Sequence, residues 1–441
     1  MDREEWKTTA GFLFASIGSA VGLGSIWRFP YIFNQYGGSS FLLAYIIAVL
    51  IIGLPLMFLE FAIGRKFKGS VITVFSSLNK KFKSLGFLPV IVNFFTLSYY
   101  IVIVGWVFGY FIESFLITKI DFNYYSNSFI PTLATFLSLL ISSAIVYFGI
   151  EKGIEKFSKI FMPLFFVILL AMLAFILTFP KGIEGIFYYF KIDFSRQIDP
   201  KILLFAASQA LYSLSLGTGI MITYGSYLSK KENIPKSSII IALSVVMTAL
   251  INSMVLFGFI YSNEKEVISG SKLAFEVMPE IFSKIKFGQV IQPLFFLLLF
   301  IAGLTSTISM KEVVVASLID ELKWSRKKSS FVLFFVLLAI SMIISLNYSG
   351  FILPEISLLE KFDFIFGSLL LILSSIVISA IFSWSWNTKS LLEEVDIKLE
   401  NISRKLDKFV EKDVFLLILR FVAPICLMIL LLLELKTVFF L

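Results

Sequence analysis

The sequence contains no histidine and a single cysteine, Cys426. The lack of histidine removes the commonest metal ligand and any histidine proton relay. One cysteine excludes an internal disulfide. Charged residues make up only 15% of the 441 residues and hydrophobic residues 58%, with a mean hydropathy of +0.92. Apolar runs long enough to cross a bilayer recur along the chain, which predicts an all-α polytopic membrane protein.

Eleven membrane spans fit this pattern. We expect them at residues 11–34, 39–64, 86–118, 131–149, 156–179, 200–228, 237–262, 288–322, 330–347, 358–386 and 413–438. Residues 390–412 are amphipathic with mixed charge and predict a short cytoplasmic helix at the membrane surface. The outer connections 180–199 and 263–287 carry apolar patches, so they either cover a cavity or form plain surface loops.

Lysine and arginine are distributed unevenly between alternate loops. Of the 38 in the chain, 24 fall in the N-terminal tail and in the loops that follow the even-numbered spans, and 11 fall in the other loops and the C-terminal end. The positive-inside rule therefore predicts a cytoplasmic N-terminus and, with eleven spans, an external C-terminus. The net charge of +8 reflects this asymmetry and not a nucleic-acid partner. The charged start lacks a signal-peptide pattern, so we expect a multi-pass protein of the inner (cytoplasmic) membrane.

Small and polar residues interrupt two spans near their centres, at residues 18–25 and 213–219. Glycine at this density weakens a helix. In a membrane, broken backbone is tolerated only where it is buried in protein or lines a cavity. One glycine cluster alone is also explained by close helix packing. Two clusters in corresponding positions, five spans apart, predict an inverted-repeat transporter with its site at the breaks.

Broken helices leave free amides that suit a carboxylate and free carbonyls that suit a cation. The eighth span supplies three consecutive hydroxyls, Thr305, Ser306 and Thr307, beside Gly303. Hard cations prefer such oxygen ligands. The alternative for an isolated hydroxyl is a bond to the preceding helical turn. Three in a row next to a glycine favour an ion site.

Six stretches carry a resemblance to a known family. They are residues 18–30, 53–65, 152–163, 213–227, 302–308 and 320–326. The chain resembles the neurotransmitter:sodium symporter family in its eleven-span prokaryotic form. The resemblance implies a 5+5 inverted repeat with the first and sixth helices unwound in mid-membrane. It also implies a sodium-coupled importer of a neutral amino acid that works by alternating access within the lipid bilayer.

The domain organisation follows from the same resemblance. Residues 1–386 would form the transporter core, with one repeat at about 1–180 and the other at about 200–386. Residues 387–412 would form the cytoplasmic loop and residues 413–441 the eleventh helix. The sequence shows no catalytic triad, metal cluster or phosphate loop, so we expect a protein that is not an enzyme.

Site residues are implied position by position. One sodium ion would bind between the first and eighth spans, held by Gly18, Val21, Ala302, Thr305 and Ser306. The substrate pocket would be lined by Ser19, Ala20, Leu23, Gly24, Thr96, Tyr100, Tyr212, Ser213, Ser215, Thr218, Ser306 and Met310. Tyr100 would bind the substrate carboxylate and Tyr212 would act as an aromatic lid. Relatives that take monoamines have an aspartate at the position of Gly22, so glycine there indicates an amino acid.

Gates are implied on both sides of the pocket. Arg28 and Asp363 would pair on the outer side. Arg28 could alternatively snorkel to the headgroups, but its depth beside the break favours a gate. The inner gate would consist of Arg3, Trp6, Ser226, Tyr227 and Asp320. The buried acid Glu60 would brace the break in the sixth span.

The chain departs from the family at a second sodium site, built on Ala20, Ser25 and Ser213. The usual asparagine is replaced by Ser25, and the seventh-span ligand position holds Val245, which cannot bind a cation. Thr248 and Asn252 lie on the same face, so either the alignment with the family is shifted here, or the site is rebuilt or absent. We therefore expect one firm sodium site.

Three further positions leave alternatives open. Ala249 gives no prediction for chloride, and the sequence gives none for oligomeric state. Thr218 replaces a large apolar residue of several amino acid carriers and makes the pocket more polar or roomier. Lys311 and Glu312 could pair with neighbours or with Glu60, and a purely structural role and a role in the ion pathway both stay open.

Two alternatives to the sodium-coupled importer remain at this stage. A proton- or single-sodium-coupled carrier of the same fold is suggested by the altered second site. A non-transporting amino acid sensor belongs to another class, and the matched gate positions argue against it because a static receptor needs no gates.

Overall fold

The computed structural model describes residues 3–116, 121–191, 200–265, 272–395 and 408–439, which form helices and no β-strand. Within these ranges nine helices are long and apolar enough to cross a membrane. They are Ser39–Phe67, Lys80–Glu113, Ile130–Tyr147, Ile150–Ile176, Ile234–Ser262, Gly288–Leu322, Arg326–Tyr348, Leu358–Ser385 and Asp413–Lys436. The prediction of an all-α polytopic membrane protein is confirmed.

The regions predicted as the first and sixth spans form broken helices. The first span consists of Thr9–Ala20 and Gly24–Gln35, whose axes are bent by 71°. The sixth span consists of Pro200–Ser213 and Ile220–Gly225, separated by residues 214–219. Both interruptions fall within the two glycine-containing stretches. The spans are therefore numbered one to eleven in chain order, with Ser39–Phe67 as the second and Asp413–Lys436 as the eleventh.

The eighth span, Gly288–Leu322, lies at the centre of the bundle. In an apolar stretch of 18 residues of this helix, 89% of the residues are buried, compared with 22% in the corresponding stretch of the eleventh span. It packs against the first, third, fourth and fifth spans. Large apolar side chains on the outer spans remain exposed, among them Leu50, Leu170 and Phe331. An exposed apolar surface of this extent is typical of contact with lipid tails.

The fifth span begins earlier than expected. Its helix starts at Ile150, not at residue 156, so much of the predicted inner loop 150–159 is helical. Gly149, with a φ of 82°, separates it from the fourth span. Glu155 accepts hydrogen bonds from the Lys7 backbone N–H at 2.8 Å and from the Thr8 hydroxyl at 2.6 Å. The N-terminal segment thus donates hydrogen bonds to the Glu155 carboxylate, which the sequence pattern places in a loop.

The connections between spans contain short helices. The predicted surface helix at residues 390–412 is described at its two ends, where Thr388–Val395 and Lys408–Leu417 are helical. Residues 396–407 lie outside the described residues. In the outer connections, the described helices pack onto the bundle: the Phe190 ring lies 5.0 Å from Phe33, and Phe275 lies 5.0 Å from Tyr110.

Candidate functional site

The break in the sixth span is held by side chains from other spans. Gly217 has a φ of +77°, a backbone conformation that favours glycine. A Cβ atom at this position would collide with Ser375. Its N–H donates to Glu60 Oε1 at 2.7 Å, and its carbonyl accepts from the Ser374 hydroxyl at 2.6 Å. The Thr218 carbonyl accepts from Asn93 Nδ2. Backbone groups freed by the break are therefore satisfied within the protein, as the membrane interior requires.

The break in the first span lies against the third and eighth spans. The Leu23 N–H donates to the Tyr100 hydroxyl at 3.2 Å. A Cβ on Gly22 would lie 2.9 Å from Ser306 Oγ and 3.3 Å from Tyr100 Oη. The packing around Gly22 therefore leaves no room for an aspartate side chain without displacement of its neighbours.

Four oxygen atoms converge where the first and eighth spans meet. The Thr305 hydroxyl lies 2.7 Å from the Gly18 carbonyl and 3.0 Å from the Ala302 carbonyl. The Ser306 hydroxyl lies 3.2 Å from the same Ala302 oxygen. Val21 begins the break one turn after Gly18. These neutral oxygens match the ligands that a hard monovalent cation prefers, so this part of the predicted sodium site fits the ion.

Carboxylate and thiolate clusters suited to other metals are absent from the described residues. No group of three or more Cys, Asp or Glu side chains in the described ranges lies close enough to hold a metal ion. In the described ranges, the neutral oxygens beside the first break are therefore not accompanied by a carboxylate or thiolate cluster.

The second sodium site predicted at Ala20, Ser25 and Ser213 does not assemble in the same way. The Ser213 hydroxyl lies 2.9 Å from Tyr45 Oη and 3.3 Å from the Ala210 carbonyl. Ser25 Oγ is buried and has no hydrogen-bond partner among the described residues. The oxygens thus bond elsewhere or stand alone.

On the seventh span, the position expected to hold a ligand is apolar. Val245 is fully buried and offers no side-chain oxygen. Thr248 donates to the Ser244 carbonyl at 2.7 Å, within its own helix. The Asn252 amide donates to the Ile26 carbonyl at 2.6 Å. Asn252 therefore ties the seventh span to the first by a direct hydrogen bond through its amide nitrogen.

A cavity of about 70 Å³ lies between the two breaks. Nine of the twelve residues predicted for the substrate pocket line it: Ser19, Ala20, Thr96, Tyr100, Tyr212, Ser215, Thr218, Ser306 and Met310. The other three lie outside the lining. The Leu23 amide bonds to Tyr100, Gly24 packs under the Tyr212 ring, and Ser213 faces Tyr45.

Sequence reasoning missed part of the cavity wall. The additional residues are Val92, Asn93, Leu211, Leu216, Ile220, Ser309 and Leu371, together with Gly22 and Ser25. Asn93 and Val92 each lie one turn before Thr96 and two turns before Tyr100 on the third span, at helical spacing. That spacing was the available signal.

The outer gate residues have separate partners in this structure. The Arg28 guanidinium lies 5.0 Å above the centre of the Tyr212 ring. Asp363 Oδ1 accepts a hydrogen bond from the Tyr99 hydroxyl at 2.7 Å. Among the described residues, no hydrogen bond or ion pair joins Arg28 to Asp363.

The inner gate residues form one connected network. Arg3 Nη1 lies 2.8 Å and 3.0 Å from the two carboxylate oxygens of Asp320, and its Nη2 donates to the Ser226 hydroxyl at 2.8 Å. The Arg3 guanidinium also lies over the Tyr227 ring, 4.9 Å from its centre. Trp6 donates from Nε1 to the Tyr224 carbonyl at 3.0 Å. All five predicted inner residues are thus brought together.

Glu312 and Lys311 have partners that the sequence did not reveal. Glu312 accepts from Arg326 at 2.7 Å and from the Tyr227 hydroxyl at 2.5 Å, and so extends the inner network instead of pairing with Glu60. Lys311 is 1% exposed, and its Nζ lies 2.7 Å from the hydroxyls of both Ser142 and Ser143.

Comparison with known proteins identifies the family. A sequence model described as the sodium:neurotransmitter symporter family matches residues 3–132 and 130–439. The chain belongs to this family. It is 34% identical to an uncharacterized sodium-dependent transporter of Methanocaldococcus jannaschii, across 82% of this chain and 81% of that protein. It is 29% identical to an uncharacterized sodium-dependent transporter of Bacillus subtilis, across 89% and 90% of the two chains.

A solved structure agrees with this assignment. The crystal structure of the protein MhsT in complex with L-phenylalanine superposes with a TM-score of 0.85. The two sequences are 34% identical, and the match covers 98% of this chain and 99% of that one. This symporter-family protein is therefore a multi-pass membrane transporter that uses sodium and carries a small molecule.

Proposed function

We propose that this symporter imports a neutral amino acid together with sodium by alternating access. One observation carries the proposal: the Thr305 hydroxyl, the Gly18 carbonyl and the Ala302 carbonyl meet within 3.0 Å at the first break, directly beside the cavity. An ion bound there would hold the first span against the eighth. Ion binding and cavity shape would therefore be coupled.

The amino acid class is supported by the wall of the cavity. The Tyr100 hydroxyl lies next to the first break. The second half-helix of the first span begins there, and its free backbone amides favour a carboxylate. Gly22 leaves no acid to pair with a lone amine. The structural neighbour MhsT was solved in complex with L-phenylalanine, an amino acid that carries both a carboxylate and an amino group.

Alternating access is supported by the different states of the two gates. The inner residues Arg3 and Asp320 are paired at 2.8 Å, whereas the outer residues Arg28 and Asp363 bond to aromatic neighbours. A closed inner network and an unpaired outer side fit a carrier that opens outward in this conformation. With the positive-inside distribution of charge, Arg3 lies on the cytoplasmic face of an inner (cytoplasmic) membrane, and the eleventh span ends on the outer side.

We further propose that one sodium ion accompanies each substrate. Val245 brings no ligand, Ser213 bonds to Tyr45, and Asn252 bonds directly to the first span. A single-sodium carrier is therefore favoured over a two-sodium carrier of the same fold.

Uptake of labelled amino acids into proteoliposomes tests the proposal. With an inward sodium gradient, we expect accumulation above equilibrium that the double substitution Thr305→Ala/Ser306→Ala abolishes. Thr307→Ala is the matched control, because the Thr307 hydroxyl donates to the Gly303 carbonyl within its own helix. Accumulation driven by a pH gradient without sodium would contradict the coupling ion, and binding without accumulation would contradict transport. A Hill coefficient for sodium well above one would contradict the single site.

A further inference from the structure

Three oxygen atoms on residues that line the cavity are buried without a hydrogen-bond partner among the described residues. They are Ser25 Oγ, Asn93 Oδ1 and Thr96 Oγ1. Buried polar groups in a membrane protein are normally paired, because an unsatisfied group is costly there. Two of the three, Asn93 Oδ1 and Thr96 Oγ1, lie on the third span and have no partner in the part of the chain that the structure describes.

The orientation of the Asn93 amide is fixed by its nitrogen. Nδ2 donates to the Pro89 carbonyl at 2.7 Å and also to the Thr218 carbonyl. A flipped amide would place its oxygen against two carbonyl oxygens, which is repulsive. Oδ1 is therefore an acceptor with no alternative role, on a side chain that is 1% exposed.

Asn93, Thr96 and Tyr100 form a stripe on one face of the third span, at positions i, i+3 and i+7. The helical rise places Thr96 about 6 Å and Asn93 about 10 Å from Tyr100 along the axis. If the substrate carboxylate lies at Tyr100, a side chain that points along this face ends near Thr96 and approaches Asn93. The spacing matches the length of a small or medium-sized amino acid.

Thr218, a small residue, lines the same cavity. Its hydroxyl is already engaged, donating to the Ser215 carbonyl at 3.1 Å. Apolar side chains of the lining include Val92, Leu216, Ile220 and Leu371. The two unpaired oxygens are therefore the distinguishing polar feature of the surface that a substrate side chain would meet.

We propose that the substrate is a neutral amino acid whose side chain carries a hydrogen-bond donor, a hydroxyl or a carboxamide, received by Thr96 Oγ1 and Asn93 Oδ1. This assignment rests on the proposed amino acid transport. The hydroxyl of Thr96 can both accept and donate, whereas the oxygen of Asn93 only accepts. A carboxamide can thus donate to Asn93 while it accepts from Thr96.

The same wall selects against other side chains. An apolar side chain would leave both oxygens buried and unpaired, and a site built to bond a polar group discriminates strongly against analogues that lack it. An acidic side chain would face the Asn93 oxygen, and no Lys or Arg lines the described cavity. A basic side chain would bury its charge against neutral oxygens.

Uptake kinetics for near-isosteric pairs test the assignment in full-length protein reconstituted with an inward sodium gradient. The pairs are threonine with valine, asparagine with leucine, and glutamine with methionine. We expect the polar member of at least one pair to have a KM at least tenfold lower than its apolar partner. Sodium-dependent uptake in which no polar member is preferred would overturn this inference and leave the proposed function standing. Absence of sodium-dependent uptake for every amino acid would remove both.

Substitutions at Thr96 locate the effect. Thr96→Val preserves shape and removes the hydroxyl, so we expect the polar preference to fall at least fivefold. Thr96→Ser keeps a hydroxyl and should retain most of the preference, which separates recognition from misfolding. Ser138→Ala is the matched control, because Ser138 Oγ is also buried and unpartnered but does not line the cavity. An unchanged preference in Thr96→Val, with normal uptake, would contradict the role of Thr96.

Discussion

Glu60 Oε1 accepts a hydrogen bond from the Gly217 N–H across 2.7 Å, and this bond joins the second span to the break in the sixth. Both residues are buried, and Glu60 is 1% exposed. The bond satisfies an amide that helix geometry leaves free at the break. It therefore links the stability of the whole protein to the local conformation of the site.

Replacing Glu60 tests this link. Glu60→Leu removes the acceptor and leaves the Gly217 amide unpaired, which we expect to cost about 1–3 kcal/mol. Glu60→Gln keeps a carbonyl oxygen in the same place and serves as the control. The measurement is the midpoint of thermal unfolding in detergent, followed by tryptophan fluorescence. Equal midpoints for the Leu and Gln variants would show that the bond does not brace the break.

The inner network makes a prediction about opening. Arg3→Ala removes the bidentate contact with Asp320, whose side chain is only 20% exposed, and also frees Ser226 and Tyr227. We expect backbone hydrogen exchange in Thr9–Ala20 and Ile220–Gly225 to rise at least tenfold, and sodium-driven uptake to fall.

An exposed ion pair next to the inner network provides the control. Lys68 and Glu5 lie 2.9 Å apart with side chains 31% and 54% exposed. Exposed pairs contribute little, so Glu5→Gln should leave both exchange and uptake nearly unchanged. A similar rise in exchange for both variants would mean that the N-terminal segment is loosened by any substitution, and that Arg3 has no special role.

The burial of Lys311 leads to the prediction that its replacement does not lower the stability of the protein. Its ammonium group is buried among the hydroxyls of Ser142 and Ser143 and the Leu139 carbonyl, and the described residues place no carboxylate within ion-pair distance. Neutral partners compensate only part of the cost of burying a charge. We expect Lys311→Met to unfold at the same temperature as the unmodified protein or higher, and to retain sodium-dependent uptake. Loss of uptake by a well-folded Lys311→Met protein would place Lys311 in the ion pathway.

Glu280 and its two lysine partners lead to a prediction about how the stability of the fold changes in acid. Lys265 and Lys284 each lie 2.7 Å from Glu280 Oε1, and their hydrogen bonds lower the pKa of Glu280 from 4.5 to about 2. A lowered pKa stabilises the fold above the unfolded value and ceases to do so as the pH falls toward the folded value. The difference in unfolding midpoint between the unmodified protein and Glu280→Gln should therefore shrink between pH 4.5 and 2. A constant difference across that range would contradict the assignment, and high salt should reduce the effect because the pair is exposed.

Residue type and spacing were sufficient for much of the site. The hydroxyls of Thr305 and Ser306 beside Gly303 predicted an oxygen cluster, and the structure places them next to Gly18. The glycines at residues 217 and 219 predicted a break, and both have positive φ. These features are local: they depend on one helix and on what its backbone can adopt.

Contacts between spans were predicted only where the family resemblance supplied them. Arg326 and Glu312 are fourteen residues apart on different helices, and their bond depends on how the eighth and ninth spans turn back on each other. The side-chain partners of Ser213 and Asn252 likewise come from the second and first spans. A single helix shows which residues share its face but not which face of a distant helix will meet it.

The sequence by itself determined the membrane class, the approximate positions of the spans, the two breaks and the oxygen-rich cluster beside the first break, because hydrophobic length and glycine content act locally. Tertiary structure alone decided that Asn93, a residue lining the cavity, turns its amide nitrogen to the Thr218 carbonyl and leaves its oxygen without a partner among the described residues. It also decided that the Asn252 amide nitrogen bonds to the Ile26 carbonyl of the first span. Both outcomes follow from the packing of helices that are more than a hundred residues apart in sequence, where the partner of a polar group is fixed by orientation and not by composition.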